Sequence, residues 1–206
     1  MAVIMPKISK RSKENIKTLL AILVLMAALI FSYLKIKKEK DFNPFTLKLN
    51  SSSTPITLNE LKENKIVLIY FGFLSCPDAC PTTLSLMSAV FKNLPQNKLD
   101  NISFIFVDLD PERDSIKKLR EYTSYFHPKI IPVTLPLPEL DLFTKFFGIA
   151  FMKVPLKSSM GYTIDHSTDI IVLSPTGQLL DPIHHGSSKA LIVARLNKLT
   201  DEYFKH

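Results

Sequence analysis

Residues 66–84 read IVLIYFGFLSCPDACPTTL, and the order of apolar, thiol and helix-forming residues in this stretch decides the fold class. Ile66 to Phe73 is an unbroken apolar run of the kind found in a central parallel strand, which is covered on both faces. From Thr82 to Leu94 the apolar residues Leu84, Met87, Val90, Phe91 and Leu94 recur at helical spacing, and Pro95 ends the pattern. Between strand and helix stand Cys76 and Cys80, the only two cysteines of the chain. Two thiols at one strand-to-helix junction make a candidate site.

Pro81 fits the first helical position, where its missing N–H is harmless and its φ is already helical, so Cys80 is expected at the N-cap. A thiolate there faces the positive end of the helix dipole, which lowers its pKa and improves it as nucleophile and as metal ligand. Pro77 keeps the intervening loop out of regular helix. The two sulfurs are then free to converge, into a disulfide or onto one soft cation such as Cu(I). The bland alternative is a pair of buried cysteines used as small hydrophobes, or a structural disulfide. Structural zinc is disfavoured, because such a site takes four ligands and there are two cysteines.

Working outward towards the N-terminus, Phe45, Leu47 and Leu49 alternate with polar residues, and Ser51 to Ser53 make a turn before Ile56 and Leu58, a pattern that predicts a first hairpin. The net charge is +7, but residues 1–40 carry nine Lys/Arg against two Glu, and the remainder carries seventeen of each sign. The excess charge therefore belongs to the N-terminal segment, and a nucleic-acid surface on the globular part is not indicated. From Thr18 to Leu34 no charged residue interrupts the apolar run. At about 1.5 Å per residue this helix falls just short of a ~30 Å hydrocarbon core, a deficit that flanking lysines absorb by snorkelling.

Ser32, Tyr33 and Leu34 followed by Lys35 give no small-x-small cleavage site, so an uncleaved membrane anchor is expected. Lys7, Lys10, Arg11, Lys13 and Lys17 on one side balance Lys35, Lys37, Lys38 and Lys40 on the other, all reading as interfacial anchors. The short tail favours a cytoplasmic N-terminus and an exported C-terminal domain in a bacterial plasma membrane, since no Arg-rich transit peptide fits ahead of the helix. The chain thus divides into residues 1–40, tail and transmembrane anchor, and residues 41–206, one α/β domain.

Working outward towards the C-terminus, Ile102 to Val107 is a second apolar run, ending in DLDPERD. Asp114 is expected to cap a helix from Ser115 to Phe126 that His127-Pro128 terminates. Ile130 to Leu135 reads as a weaker strand, which Pro132 demotes towards an edge. A helix from about Glu139 to Phe147 stops at Gly148. Ile170 to Leu173 and Leu179 to Ile183 flank a β-turn sequence, Ser174 to Gln178, and a last helix, Lys189 to Phe204, places Leu191, Ile192, Leu196 and Leu199 on one side. Strands alternating with helices, then a hairpin and a closing helix, predict a three-layer α/β domain with a mixed sheet.

The motifs FGFLSCPDACPTTL, VDLDPERD, REYTSYFHP and TIDHSTDIIVLSPTG, spread over about residues 45–183 with the first hairpin, together resemble the Sco/SenC family of thioredoxin-like, membrane-anchored copper proteins. The resemblance implies a thioredoxin-like fold in which Cys76, Cys80 and the histidine of the DHS motif, His166, bind one copper ion. It also implies a role in delivering copper to, or reducing the cysteines of, the binuclear copper site in subunit II of cytochrome c oxidase or a similar cuproprotein. Leu74-Ser75 stands where the family more often has Thr-His, and the loop from Ala150 to Gly161 matches no family motif.

The residues themselves support His166 as well. TIDHSTD precedes an apolar strand, where a neighbouring strand of the sheet would enter from the end that holds the cysteine loop. An imidazole added to two thiolates suits Cu(I) and makes Cu(II) tolerable, and Asp165 or Asp169 is placed to orient the ring. His184 and His185 are adjacent, so at most one could face the site, and with His127 and His206 they read as structural or exposed. Asp108, Asp110, Glu112, Arg113 and Asp114 read as a turn plus helix N-terminus in preference to a cation site.

Two functions use the same thiols: a copper metallochaperone, which needs His166, and a thiol-disulfide oxidoreductase cycling Cys76 and Cys80, which does not. The three-residue spacing between the cysteines, where thioredoxin-type enzymes have two, favours the metallochaperone. A peroxiredoxin-type peroxidase is discounted, because no P-x-x-x-T-x-x-C pattern precedes either cysteine.

Overall fold

The computed structural model describes residues 10–51 and 54–204. Ser52 and Ser53 of the expected first turn, Lys7 and His206 lie outside the described residues, as do the side chains of residues 10–14. Two compact units divide near Phe42, one of residues 1–42 and one of residues 43–206. The first is built on α1 (Lys10–Lys40), whose stretch Asn15–Lys40 is long and apolar enough to cross a membrane. Its leucines, isoleucines and valines are exposed to the surroundings along the helix.

The second unit runs through α2 (Leu58–Lys62), β1 (Ile66–Gly72), α3 (Ala79–Lys92), α4 (Gln96–Leu99), β2 (Ile102–Asp108), α5 (Ile116–Phe126), β3 (Ile130–Val133), α6 (Leu137–Phe146), β4 (Phe151–Pro155), β5 (Tyr162–His166), β6 (Ile170–Leu173), β7 (Leu179–Ile183) and α7 (Lys189–Tyr203). Five strands form a mixed sheet in the order β3-β2-β1-β6-β7. The first three are parallel, β6 is antiparallel to β1, and β7 is antiparallel to β6. All residues of β1 and β2 are buried, which explains why their sequences are apolar without alternation.

Alternation of side chains across the sheet sends Ile66, Leu68, Tyr70, Phe104 and Phe106 towards α3, α5 and α7, where Leu84, Met87, Leu119, Ile192 and Leu196 meet them. On the opposite face Phe71 packs against Phe143 and Phe147, and Ser103 donates to the Leu61 carbonyl. Each of these large, fully buried apolar side chains contributes about 1.5–3 kcal/mol relative to exposure. Three layers around a mixed sheet are the architecture that the pattern of elements predicts.

Several expectations need correction. The first hairpin is reduced to isolated bridges, Leu49 to Ile56 and Asn50 to Thr134, because Leu58 already belongs to α2. That helix is started by a capping box between Thr57 and Glu60, whose Thr-x-x-Glu signal stands in the sequence. The segment from Ala150 to Gly161 is no simple loop: all of β4 lies within it and pairs antiparallel with β5 as a separate two-stranded sheet. Leu191 is 61% exposed, because the buried stripe of α7 runs through Ile192, Leu196 and Thr200 and Leu191 lies about 100° away from Ile192. Ser115, not Asp114, caps α5, accepting from the Lys118 N–H.

The sheet brings distant segments to one end. Gly72 at the end of β1 pairs with Asp108 at the end of β2, so the loops that follow them leave the sheet side by side. Because β6 is antiparallel to β1, with Ile69 opposite Ile171, it enters from this same end. The residues just before β6 therefore arrive beside the loop after β1.

Candidate metal centre

At the end of β1 the chain turns through Phe73 to Asp78 and enters α3. The Cys76 N–H closes the turn on the Phe73 carbonyl at 3.3 Å, and Thr82 donates from its backbone to the Asp78 carbonyl at 3.1 Å as the first bond of the helix. Asp78 is thus the N-cap, Cys80 lies inside the first turn, and Pro81 follows it. This corrects the expectation of an N-cap at Cys80. Pro81 is tolerated two positions later than expected, at the third helical position, because no N–H of the first turn has an intrahelical partner.

The consequence is an exchange of roles between the thiols. It is the Cys76 sulfur that accepts the Cys80 N–H, at 3.4 Å, and so occupies the positive end of the helix. Cys80 is fully buried, whereas Cys76 is half-buried. The Cys76 thiol is held down at about 4, first by a hydrogen bond from the Cys80 thiol and then by His166 and the backbone N–H groups of Cys80 and Asp78, against the opposing effect of burial. Cys80 is pushed up, first because it keeps the shared proton and then by burial and the Cys76 charge. The pair holds one proton between its two sulfurs over the neutral range.

Alkylation reads this out. Cys76 in the reduced protein is expected to react with iodoacetamide at a rate independent of pH from about pH 6 upward, slowing only as pH falls towards 4, where its thiolate takes up a proton. Cys80 is expected to stay unlabelled until the protein is unfolded. Peptide mass spectrometry across pH 3–10 checks this, and labelling of both residues rising together near the ordinary thiol pKa of about 8.5 would contradict it.

His166 ends β5. Its Nδ1 lies 2.8 Å from the Ser167 carbonyl, which can only accept, so Nδ1 carries the proton and Nε2 keeps its lone pair. Phe73 meets the imidazole edge-on, with ring centroids 6.0 Å apart. The ring is oriented neither by Asp165 nor by Asp169. Asp165 is exposed, since neighbours along a strand point to opposite faces, and Asp169 is engaged by His184 Nδ1 and the His185 N–H, each at 2.9 Å.

Among the described residues, Cys76, Cys80 and His166 form a group whose ligand atoms all lie within 4.8 Å of one another. Three donors on one first-row ion, at bonds of about 2.0–2.3 Å, stand roughly 3.5–4 Å apart in a trigonal plane, so the triangle needs little adjustment to close on an ion. Two sulfurs and one imidazole nitrogen form a soft set. His184 and His185 are exposed, and His127 packs on Phe91. Cys76 and His166 are each only half-buried, which leaves the group accessible on their side, and His166 also lines a surface cleft with Phe151, Met152 and Ser167.

The inner side is closed. A Cβ on Gly72 would stand 2.6 Å from the Cys80 sulfur and 2.7 Å from Phe106, so the backbone of β1 lies directly against that sulfur. The lone glycine inside an apolar strand was the sequence signal for that approach. The phenols of Tyr70 and Tyr122 are buried beside the cysteines, and burial first, then the cysteine sulfurs, raise both above the ordinary tyrosine range.

The acidic segment after β2 serves the site without entering it. Asp114 accepts the Leu74 N–H at 2.8 Å, forty residues away, which ties down the loop carrying Cys76. Asp108 accepts from the Asp110 N–H at 3.0 Å and from Thr134 Oγ1 at 3.2 Å, while burial pushes its own carboxyl up to about 7, helped by the charge on Asp114. These carboxylates are spent on neighbouring donors, in keeping with a turn and helix start.

Comparison with known proteins places these features. The family model described as SCO1/SenC matches residues 36–201. A putative copper-binding protein of Stutzerimonas stutzeri is 32% identical over 132 residues, 64% of this chain and 63% of that one. An SCO2-like protein of Rickettsia felis is 36% identical over 131 residues, again 63% of either chain. The chain thus spans less than two thirds of the length of these curated relatives. Among solved structures, ScoI of Arabidopsis thaliana with copper bound superposes with a TM-score of 0.70 at 26% identity, over 76% of this chain and 97% of that one. The mixed-sheet domain is therefore thioredoxin-like in the manner of these structures.

Proposed function

The chain belongs to the SCO1/SenC family, and from that premise we propose that it is a membrane-anchored copper metallochaperone, with one copper ion as its cargo. The observation that carries the reading is the triangle of Cys76, Cys80 and His166, all three ligand atoms within 4.8 Å of one another. Cys76 is already a thiolate at neutral pH, Cys80 gives up the shared proton on loading, and His166 offers Nε2 because Ser167 holds Nδ1. Thiolates favour Cu(I), and the imidazole adds a donor that Cu(II) accepts. The copper-bound Arabidopsis thaliana structure and the putative copper-binding protein of Stutzerimonas stutzeri support the choice of metal.

The receiving partner in this reading is subunit II of cytochrome c oxidase or a similar cuproprotein, reached across the open side of the centre. The helix Asn15–Lys40 would anchor the chain in a bacterial plasma membrane with the α/β domain on the exported side, the side where cysteine pairs can cycle between dithiol and disulfide. Residues 1–40 then serve as tail and anchor, and residues 41–206 as the copper-binding domain.

A second reading, a thiol-disulfide oxidoreductase acting on the cysteines of a partner cuproprotein, is favoured by one observation: Cys76 is a partly exposed thiolate beside a protonated Cys80. The readings divide on loading. The reduced full-length chain in detergent is expected to bind close to one copper per molecule, and the same chain oxidised to the Cys76–Cys80 disulfide to bind none tightly, because thiolates are the ligands. Metal analysis with a parallel count of free thiols tests this. Equal occupancy in the two forms would remove the cysteines from the ligand set.

A further inference from the structure

The hairpin that carries His166 is not part of the main sheet. β4 and β5 pair with each other, and no strand of the five-stranded sheet bonds to them. Its grip on the domain includes the buried side chain of Ile164, yet most of β4 is exposed. One buried side chain and a mostly exposed partner strand leave open what holds His166 within reach of the sulfurs.

A set of polar contacts supplies that hold, and all of them come from the segment after β2. The Tyr162 hydroxyl donates to Asp110 Oδ1 at 2.7 Å. Arg113 donates from Nη1 to the carbonyls of Tyr162 and Met160, at 2.9 and 3.1 Å, and its guanidinium carbon lies 3.6 Å from the centroid of the Tyr162 ring. Asp110, 1% exposed, receives Arg113 Nε on Oδ2 and so fixes the plane of the guanidinium. Lys153 of β4 pairs with Glu112 and approaches the same ring at 4.6 Å.

The same segment grips the cysteine loop from its other side. The Leu109 N–H donates to the Gly72 carbonyl at 2.8 Å, and Asp114 accepts from Leu74. Six residues, Leu109 to Asp114, therefore touch both the segment leading into the cysteine turn and the hairpin that carries His166. We infer that Asp110 and Arg113 are positioning residues for His166, bracing hairpin β4–β5 against the loop that also holds the cysteine turn and thereby setting the reach of Nε2 to the two sulfurs. The chemistry requires arginine: a planar fork donates to two carbonyls and a carboxylate while stacking on an aromatic face, whereas an ammonium group offers a point charge without that geometry. The role of His166 itself rests on the copper reading above.

The test uses the full-length chain in detergent micelles, as Arg113→Lys and, separately, Tyr162→Phe, which keeps the ring for stacking and loses the donor to Asp110. In the reduced, metal-free protein, hydrogen exchange of amides within residues 151–166 is expected to speed up roughly tenfold or more in Arg113→Lys and less in Tyr162→Phe, the scale of losing charge-assisted hydrogen bonds. Exchange in β1 and β2 should stay as in the parent. With Cu(II) added, the nitrogen hyperfine signal of His166 should weaken in the same order while Cu(I) remains bound by the thiolates. Exchange unchanged in both variants overturns the brace, and so does a rise shared equally by β1 and β2, which marks a general stability effect. Fast hairpin exchange with an undiminished nitrogen signal overturns the positioning role. A parent chain that binds no copper rejects the metallochaperone reading instead, and the exchange measurement still decides the brace.

Discussion

Replacing His166 by Ala is expected to lower copper affinity by at least about 100-fold, beyond the 10–100-fold that loss of an outer-shell partner produces, since a donor atom itself disappears. Cys76→Ser and Cys80→Ser should abolish tight binding, because an alcohol is not ionised at neutral pH and is not a soft ligand. The three variants need not unfold the domain. His166 and Cys76 are half-buried, and serine at Cys80 changes volume little, although it places a hydroxyl in a fully buried position. Competition titration with a Cu(I) chelator, together with the circular dichroism spectrum of each variant, separates lost ligation from lost fold. A His166 variant that holds copper as tightly as the parent would put the oxidoreductase reading ahead, since thiol exchange between Cys76 and Cys80 has no need of the imidazole.

Gly72→Ala should damage stability and site together. The added methyl would meet the Cys80 sulfur at 2.6 Å and the Phe106 ring at 2.7 and 3.0 Å, distances that cannot persist. Phe106 has little freedom to retreat, being fully buried with its centroid 6.1 Å from the rings of both Tyr70 and Tyr122. The backbone cannot easily yield either, since the Gly72 carbonyl accepts from Leu109 and the residue pairs with Asp108. Overpacking of this kind destabilises by about 1–3 kcal/mol, which lowers the melting temperature by roughly 2–4 °C per kcal/mol in a domain of this size. Because one of the displaced groups is the Cys80 sulfur, copper affinity should fall in the same variant. Thermal unfolding and copper titration of Gly72→Ala check both, and an unchanged midpoint with unchanged affinity would show that the strand end can relax.

The main strands and most of the helices were legible because their signals are local. Apolar runs at Ile66 to Phe73 and Ile102 to Val107 announce buried parallel strands, and the periodicity from Leu84 to Leu94 announces a helix, all within windows of a few residues. Weaker local signals stand in the sequence too: the capping box at Thr57 and Glu60, and the glycine at the end of β1. The hairpin β4–β5 was harder. Its first strand, FMKVP, is mostly exposed with no clean alternation, since it belongs to a two-stranded sheet separate from the main one.

Sequence alone determined that a thiol pair stands at a strand-to-helix junction in a mixed-sheet α/β domain, and that an apolar helix precedes it. Those features depend on residue type and on the fixed periods of helix and strand. The tertiary structure decided which sulfur faces the helix N-terminus, which nitrogen of His166 is free, and what holds the hairpin in place. Those depend on contacts that no local pattern encodes: a shift of the helix start by two residues exchanges the roles of Cys76 and Cys80, and the ties from Asp114 to Leu74 and from Arg113 to Tyr162 span forty and forty-nine residues. Side chains that far apart in the chain meet because the sheet delivers their loops to one end, and the strand order that does so exists only once the whole domain has folded.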